Sequence, residues 1–484
     1  MQINWDIAVE RRHAYGLVIV GAGPAGLYLA QRLSGSGNIL VLDAGTTENP
    51  LGDGHGYYEL TVSGRPYPVI GSRLSALGGS SNHWGGNTHR LSPGLFQTAA
   101  PDAWPIGYGE FSPFLADAAR FLNVPPPTED GGPTSLETGV FSDYQDVEVT
   151  RFALSTPMAR FGEPGALSAF EALEGVDILA DARATDLELN GERVSSVTVL
   201  NRSSRQTLTL TPQTVILAMG GIENARFLLW AGRNLPKGNP FAGGPNGLTG
   251  AYFTERPYFS PVDMFVDARA NLIDAIPHGD DRGYLAWTVS DAFRERHDLR
   301  RVAVFPGPAT PVQSNPDLAA IGTVYAQQSS SYLHLVPTFQ FEQTAHRGSY
   351  VALDRSIADD DGIARAELHW EILPDDIAAY RRSVLLFCGL LNQKGYARSR
   401  MRTEHLPDDW SKVDLGYCNH HEGTTRMAST NAEGVVDPDC RVFGVSNLYV
   451  AGSSVFPSSG FANPTLNLVA LAGRLADHLK ARAS

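Results

Sequence analysis

The sequence predicts an α/β fold: a dinucleotide-binding domain on a parallel sheet, to which the chain returns after leaving it, and a second domain built on an antiparallel sheet covered by helices. Three observations predict it. A β-branched apolar strand, a glycine string and a helical run follow one another near the start. The same strand–glycine–helix order recurs near residue 220. From about 253 to 409 the pattern switches to short alternating stretches of the kind half-buried strands show.

The first unit is the most informative. Tyr15-Gly16-Leu17-Val18-Ile19-Val20 reads as a buried parallel strand, and Gly21-Ala22-Gly23-Pro24-Ala25-Gly26 follows it directly. Leu27 to Leu33 then reads as a helix, and a second apolar strand, 39–42, ends at Asp43 and Ala44. This order is the dinucleotide-binding βαβ fingerprint. Gly21, Gly23 and Gly26 let the chain turn sharply, approach a pyrophosphate and pack helix on strand. The helix start offers free N–H groups to phosphate. Asp43 is placed to take ribose hydroxyls.

Beyond it, 50–82 is rich in Gly, Ser and Tyr and reads as a long loop or extended segment, ending in the glycine-serine stretch 71–80. An amphipathic run at 111–122 reads as a surface helix. Pro125-Pro126-Pro127 and Gly131-Gly132-Pro133 read as a mobile connector. Short strands are expected at 176–179, 184–189, 194–200 and 207–210, with Asn190-Gly191 as a hairpin turn. A core strand at 214–219 runs into Gly220-Gly221-Ile222-Glu223 and a helix at 227–230. In the second domain, 261–266 and 331–336 alternate as strands and 375–391 reads as a helix. There is no internal repeat and no low-complexity tract.

Bulk properties exclude several classes. At 484 residues the chain suits two domains, and 43% hydrophobic with 19% charged residues is ordinary for a globular protein. A net charge of −14 argues against nucleic acid and anionic membrane partners. The three cysteines, Cys388, Cys418 and Cys440, form no CxxC pair and read as packing residues in a reducing compartment. The first residues lack the apolar core of a signal peptide, and no stretch is long and apolar enough to span a bilayer. A cytoplasmic location is expected.

The C-terminal stretch contains His420-His421-Glu422-Gly423-Thr424, then Tyr449-Val450-Ala451-Gly452-Ser453, then Asn463-Pro464-Thr465. Upstream lies Gly78-Gly79-Ser80-Ser81-Asn82-His83-Trp84. Together with Gly220-Gly221-Ile222-Glu223, these motifs resemble the glucose–methanol–choline (GMC) oxidoreductases, most of all the branch holding pyranose oxidase and the fructose and gluconate dehydrogenase flavoproteins. The resemblance spans both ends of the nucleotide domain and is weak from 259 to 409. It implies a discontinuous Rossmann-like FAD-binding domain at 1–95, 176–252 and 412–484. It further implies a connector and cap segment at 96–175 and a substrate domain at 253–411.

The resemblance implies FAD as cofactor, contacted by Gly21, Gly23, Ala25, Gly26, Asp43, Ala44, Gly79, Ser80, Asn82, His83, Trp84, Gly220, Gly452, Ser453, Pro464 and Thr465. His83 stands where some relatives bond the flavin 8α carbon covalently; a packing or hydrogen-bonding role is the alternative. Oxidation of an alcohol requires a base for the hydroxyl proton, and a neutral imidazole serves near pH 7. The H-x-x-G-T spacing selects His420 for this over His421. Asn463 offers a donor and an acceptor to the substrate oxygen, or shapes the turn before Pro464. Pro464 suits the first position of a helix over 465–479, whose positive end the resemblance directs at the flavin ring.

Some positions depart from the family. Thr254-Glu255-Arg256-Pro257 stands where relatives commonly have His-Pro, so Arg256 is read as a cap at the domain junction or part of the substrate wall. Glu342-Gln343 matches a family segment near the cleft; His346 and Arg347 are read as surface residues. The implied reaction is hydride transfer from a sugar, cyclitol or similar polyol to flavin N5. Oxygen, or a quinone or haem protein, then reoxidises the flavin. Two other classes stay open: a non-redox lyase using the same histidine, and a flavin-binding assembly subunit.

Overall fold

The computed structural model describes residues 1–46, 58–97, 103–126, 146–163, 165–244, 247–267, 283–307, 310–311, 332–403, 406–407 and 409–483. The connector motif at 131–133 lies outside the described residues, as does much of the second-domain stretch from 268 to 331.

A five-stranded sheet forms the nucleotide domain, in the order Leu448–Val450, Thr214–Leu217, Leu17–Val20, Ile39–Leu42, Val176–Leu179. Every pair is parallel. Strands buried on both faces need continuous apolar runs, which is why these segments show no alternation; Ile39–Leu42 is buried throughout. The expected strand at 176–179 forms one edge of this sheet. The next three form an antiparallel meander, Ala182–Asn190, Arg193–Asn201 and Thr207–Leu210. Gly191 takes a positive φ in the predicted hairpin turn. Asn447 staples the meander to the sheet, accepting from the Val194 N–H at 2.8 Å and donating to the Val194 and Gln213 carbonyls.

Two helices of the nucleotide domain begin earlier than expected. Glycine permits this at both nucleotide turns, where Pro24–Leu33 and Gly220–Ala231 start inside the glycine strings. Pro464–Ala483 starts at its proline, which lacks the N–H that a helix start leaves unused. The run at 111–122 is not one surface helix. Tyr108–Phe111 and Leu115–Phe121 are separated by a 3-10 turn over Ser112–Phe114, because Pro113 cannot donate within a regular helix. Leu115, Ala118 and Ala119 are buried in the same core as the C-terminal helix residues Leu466, Val469 and Ala470.

The second domain carries a six-stranded antiparallel sheet: Tyr258–Phe259, Thr338–Phe341, Val302–Phe305, Gly283–Val289, Val147–Leu154 and Asn87–Thr88. The strand Val147–Leu154 thus comes from within 96–175 and pairs along the whole length of Gly283–Val289. A four-stranded sheet runs Thr310–Pro311, Tyr332–Leu335, Val262–Asp267, Ala397–Met401. Helix Pro374–Gln393 covers the core, with Ile377, Tyr380, Val384, Phe387 and Leu391 recurring on its buried face. Tyr380 stacks on Phe341 at 4.3 Å, and Phe387 meets Phe339 edge-on at 5.7 Å. Part of the stretch read as a loop or extended segment is a strand: Leu60–Gly64 pairs parallel with Ala364–Trp370, which itself pairs with Tyr350–Ala358.

Gly26 is a packing glycine. A Cβ there would lie 1.9 Å from the Gly21 carbonyl oxygen. Gly26→Ala therefore forces the helix off the strand. Overpacking costs about 1–3 kcal/mol or more, and a lowered apparent Tm is the expected result in thermal denaturation. An unchanged Tm would show that the turn relaxes freely.

Candidate active site

A cleft of about 620 Å³ opens at the carboxyl ends of the parallel strands, where Val20, Leu42 and Ala218 reach its wall. Gly21, Gly23, Ala25, Asp43, Ala44, Gly79, Ser80, His83, Trp84, Gly220, Gly452, Ser453, Asn463, Pro464, Thr465 and His420 all line it. Positions separated by more than 400 residues are thus brought together. Gly26 and Asn82 do not line it. Asn82 is buried, donating to the Leu77 carbonyl and accepting from the Gly162 N–H, each at 2.8 Å. It shapes the glycine loop from behind.

At the nucleotide end, Gly21 has φ +109 and a Cβ there would meet the Ala218 carbonyl at 2.5 Å. Gly23 has open space beside it and caps helix Pro24–Leu33 without a side-chain bond. The first-turn N–H groups are therefore available to an anion. Asp43 accepts from the N–H groups of Ala22 and Gly45, both at 2.7 Å. It clamps the turn as well as facing the cleft, and burial pushes its carboxyl up to about 6.

Three residues of the 71–80 stretch add what sequence reading missed. Ser72, Arg73 and Ser75 line the cleft and are nearly buried. Arg73 Nη2 donates to Glu223 at 2.8 Å, but its Nε and Nη1 have no protein partner among the described residues. The Ser72 and Ser75 hydroxyls have none either. Buried donors left unpaired are costly unless a ligand completes them. With the open glycine turn, this donor set fits the diphosphate and hydroxyl-rich chain of FAD. The signal in the sequence was the placement of Ser and Arg beside glycines, without any spacing that names a ligand.

At the other end, His420 is half-buried with its Nδ1 unpartnered among the described residues. Burial, helped by the Arg256 charge and His421, holds its ring well below the usual histidine range, so it is neutral at pH 7. His421 differs. It is buried against Tyr67 and Phe253, its Nε2 is 2.9 Å from the Tyr67 hydroxyl, and burial lowers it to about 3. Asn463 donates to the Asn87 carbonyl at 2.8 Å, which commits one amide hydrogen. Ser453 donates to the His421 carbonyl at 2.7 Å and pins the histidine loop. Trp84 donates to the Ala159 carbonyl at 3.0 Å. His83 is exposed on the cleft wall, and partial burial draws its ring below the ordinary value.

Tyr258, Gln340, Tyr417 and Cys418 complete the wall near His420. Cys418 is therefore a cleft residue, while Cys388 and Cys440 are buried as packing residues. Arg256 is not on the wall; it is buried in an ion pair with Glu422 at 2.9 Å. Glu342 pairs with Arg301 at 3.4 Å. Gln343 accepts from the Trp370 indole at 2.9 Å. His346 and Arg347 lie away from the cleft. No helix among the described residues is long and apolar enough to cross a membrane.

Residues 345–472 match the family model described as GMC oxidoreductase. A segment is 33% identical to C-glycoside 3-oxidase of Arthrobacter globiformis, over 26% of this chain and 23% of the relative. That match spans about a quarter of the relative's length. Paromamine 6'-oxidase of Streptomyces fradiae is 24% identical over 98% of this chain and 92% of its own. In fold, the structure of pyridoxine 4-oxidase from Mesorbium loti matches 96% of this chain and 99% of its own, with a TM-score of 0.64 at 18% identity. Residues 345–472 are thus similar to the GMC oxidoreductases, a family that binds FAD.

Proposed function

We propose that this protein oxidises a primary or secondary alcohol on a sugar, cyclitol or similar polyhydroxylated metabolite, with His420 as base. One observation carries the reading. A neutral imidazole, His420, and a side-chain amide, Asn463, share the wall of the cleft that the glycine turn opens. The similarity to C-glycoside 3-oxidase and paromamine 6'-oxidase supports the substrate class.

FAD, when bound, supplies the hydride acceptor at N5. His420, held neutral by its surroundings, takes the hydroxyl proton on a ring nitrogen. Asn463 keeps an amide hydrogen and its carbonyl oxygen for the substrate oxygen after its bond to Asn87. Pro464 and Thr465 begin the last long helix at the cleft, so its positive end favours negative charge there by on the order of 1 kcal/mol. Tyr258 and Tyr417 line the same end and suit a substrate rich in hydroxyls, while Gln340 donates to the Phe461 carbonyl and accepts from Cys418.

Anaerobic mixing with D-glucose, myo-inositol, paromamine, pyridoxine and an aromatic C-glycoside is the direct test. At least one sugar or aminosugar is expected to bleach the flavin absorbance. Turnover without bleaching would instead establish lyase chemistry, and silence across the panel would favour an assembly role. Reoxidation in air identifies an oxidase; persistence of the bleached state points to a quinone or haem acceptor.

His420→Ala is expected to slow bleaching by roughly 10²–10⁴-fold, the range for loss of general base catalysis, with flavin still bound. Stopped-flow absorbance measures it, and wild-type rates would remove His420 from the mechanism. His83 is neutral at pH 7 and stands on the cleft wall, which favours covalent attachment of the flavin. Acid precipitation is expected to give a yellow pellet, and His83→Ala a colourless pellet under a yellow supernatant. A yellow wild-type supernatant would mean that no bond forms.

A further inference from the structure

The loop that carries His420 is an irregular ladder. Thr254 pairs antiparallel with Glu422, and Tyr258 with Gly416. Between these bridges, one segment has three residues, 255–257, and the other has five, 417–421. The longer side must bulge, and bulges beside active sites re-aim side chains. Asn419 absorbs the bulge with φ 58, a left-handed conformation that Asn tolerates better than most residues. Pro257 has no N–H to offer back across the gap. The N–H groups of Cys418 and His420 are therefore left without ladder carbonyls.

One side chain collects them. Glu255 is 1% exposed. Its Oε2 accepts from the N–H of Cys418 and of Arg256, each at 3.0 Å, and its Oε1 accepts from the N–H of His420. The Tyr67 hydroxyl lies 3.5 Å from Oε1 and is also the partner of His421. Glu255 is itself held from the second domain: its N–H donates to Gln343 Oε1 at 3.1 Å, and Gln343 donates to the Glu371 carbonyl at 2.8 Å. Burial pushes the carboxyl up to about 7, against the pull of the three N–H groups. A buried carboxyl that gives both oxygens to N–H groups of one bulge needs a reason beyond packing.

We propose that Glu255 is the positioning residue for the base: by collecting the unpaired N–H groups of the 417–421 bulge, it fixes His420 in its place on the cleft wall. The inference rests on the reading of His420 as base. Glu255 does not line the cleft, so it acts through the loop. Its loss is expected to slow the chemical step while flavin binding stays intact.

The test uses flavin-loaded full-length Glu255→Gln and Glu255→Leu beside His420→Ala. Gln keeps one accepting oxygen, so it should fall between wild type and Leu. Hydrogen–deuterium exchange of the peptide covering 416–422 is expected to quicken at least tenfold in Glu255→Leu and less in Glu255→Gln. Anaerobic flavin reduction, with the panel compound that bleaches wild type fastest, is expected to slow at least tenfold in Glu255→Leu. KM should stay within twofold and flavin content should match wild type. If Leu fails to fold, the graded loss in Gln still decides the matter. Unchanged exchange, wild-type reduction rates, or a rate loss that only follows lost flavin overturns the proposal. Wild-type reduction by His420→Ala would instead overturn the reading of the base.

Discussion

Backbone lying directly on backbone sets the geometry of this site. A Cβ at Gly21 would strike the Ala218 carbonyl at 2.5 Å, and one at Gly221 would strike the His421 carbonyl at 2.1 Å. The first contact lets two neighbouring parallel strands open a narrow cleft at their ends. The second seats the histidine loop on the start of helix Gly220–Ala231. Thr424 strengthens that seat by donating to the Gly221 carbonyl. The nucleotide turn and the histidine are thus registered through main-chain atoms, which have no rotamers to relax.

A second constraint is electrostatic. Glu223, in the first turn of that helix, meets Arg73 at 2.8 Å and Arg226 at 3.1 Å. Arg226 continues to Asp359 at 2.6 Å, and Arg183 joins Asp359 and Asp361 at 2.7 Å. Burial pushes Glu223 up, but the guanidinium groups of Arg226 and Arg73 outweigh it and leave the carboxyl below its ordinary value. Such a buried chain adds little net stability once desolvation is counted, yet removing one partner costs about 3–5 kcal/mol. Its effect is to lock the Arg73 side of the cleft to the Asp359 turn of the second domain. Glu255 and Ser453 tie down the histidine loop, one accepting from the His420 N–H and the other donating to the His421 carbonyl.

Much of the site was legible because its chemistry is local. The strand–glycine–helix order around Gly21 and Gly220 needs only neighbouring residues, and it located the parallel sheet and its cleft. Asn82 was misplaced because a motif match names positions, not directions; its side chain turns back onto Leu77 and Gly162. The strand Val147–Leu154 escaped notice because Glu148, Thr150 and Arg151 interrupt its apolar residues, and only its partner Gly283–Val289 makes it a strand. Leu60–Gly64 lies in a stretch that reads as loop or extended segment, and nothing local shows its ladder, which lies some 300 residues away in Ala364–Trp370.

The sequence by itself determined the glycine turn at residues 21–26 and the helix start at Pro464, and its spacing to Gly423 singled out His420 as a candidate, because each depends on residues within one or two turns of chain. Both adjacent histidines line the cleft, and only the tertiary structure decided which is tied down, His421 to Tyr67, and which keeps an unpartnered ring nitrogen among the described residues, His420. Tyr67 and Phe253, distant in sequence, supply that difference. It also decided that Glu255 accepts from the Cys418 and His420 N–H groups and that two Arg73 nitrogens have no protein partner among the described residues. The partners of a buried polar group are fixed by long-range packing, and no local pattern encodes them.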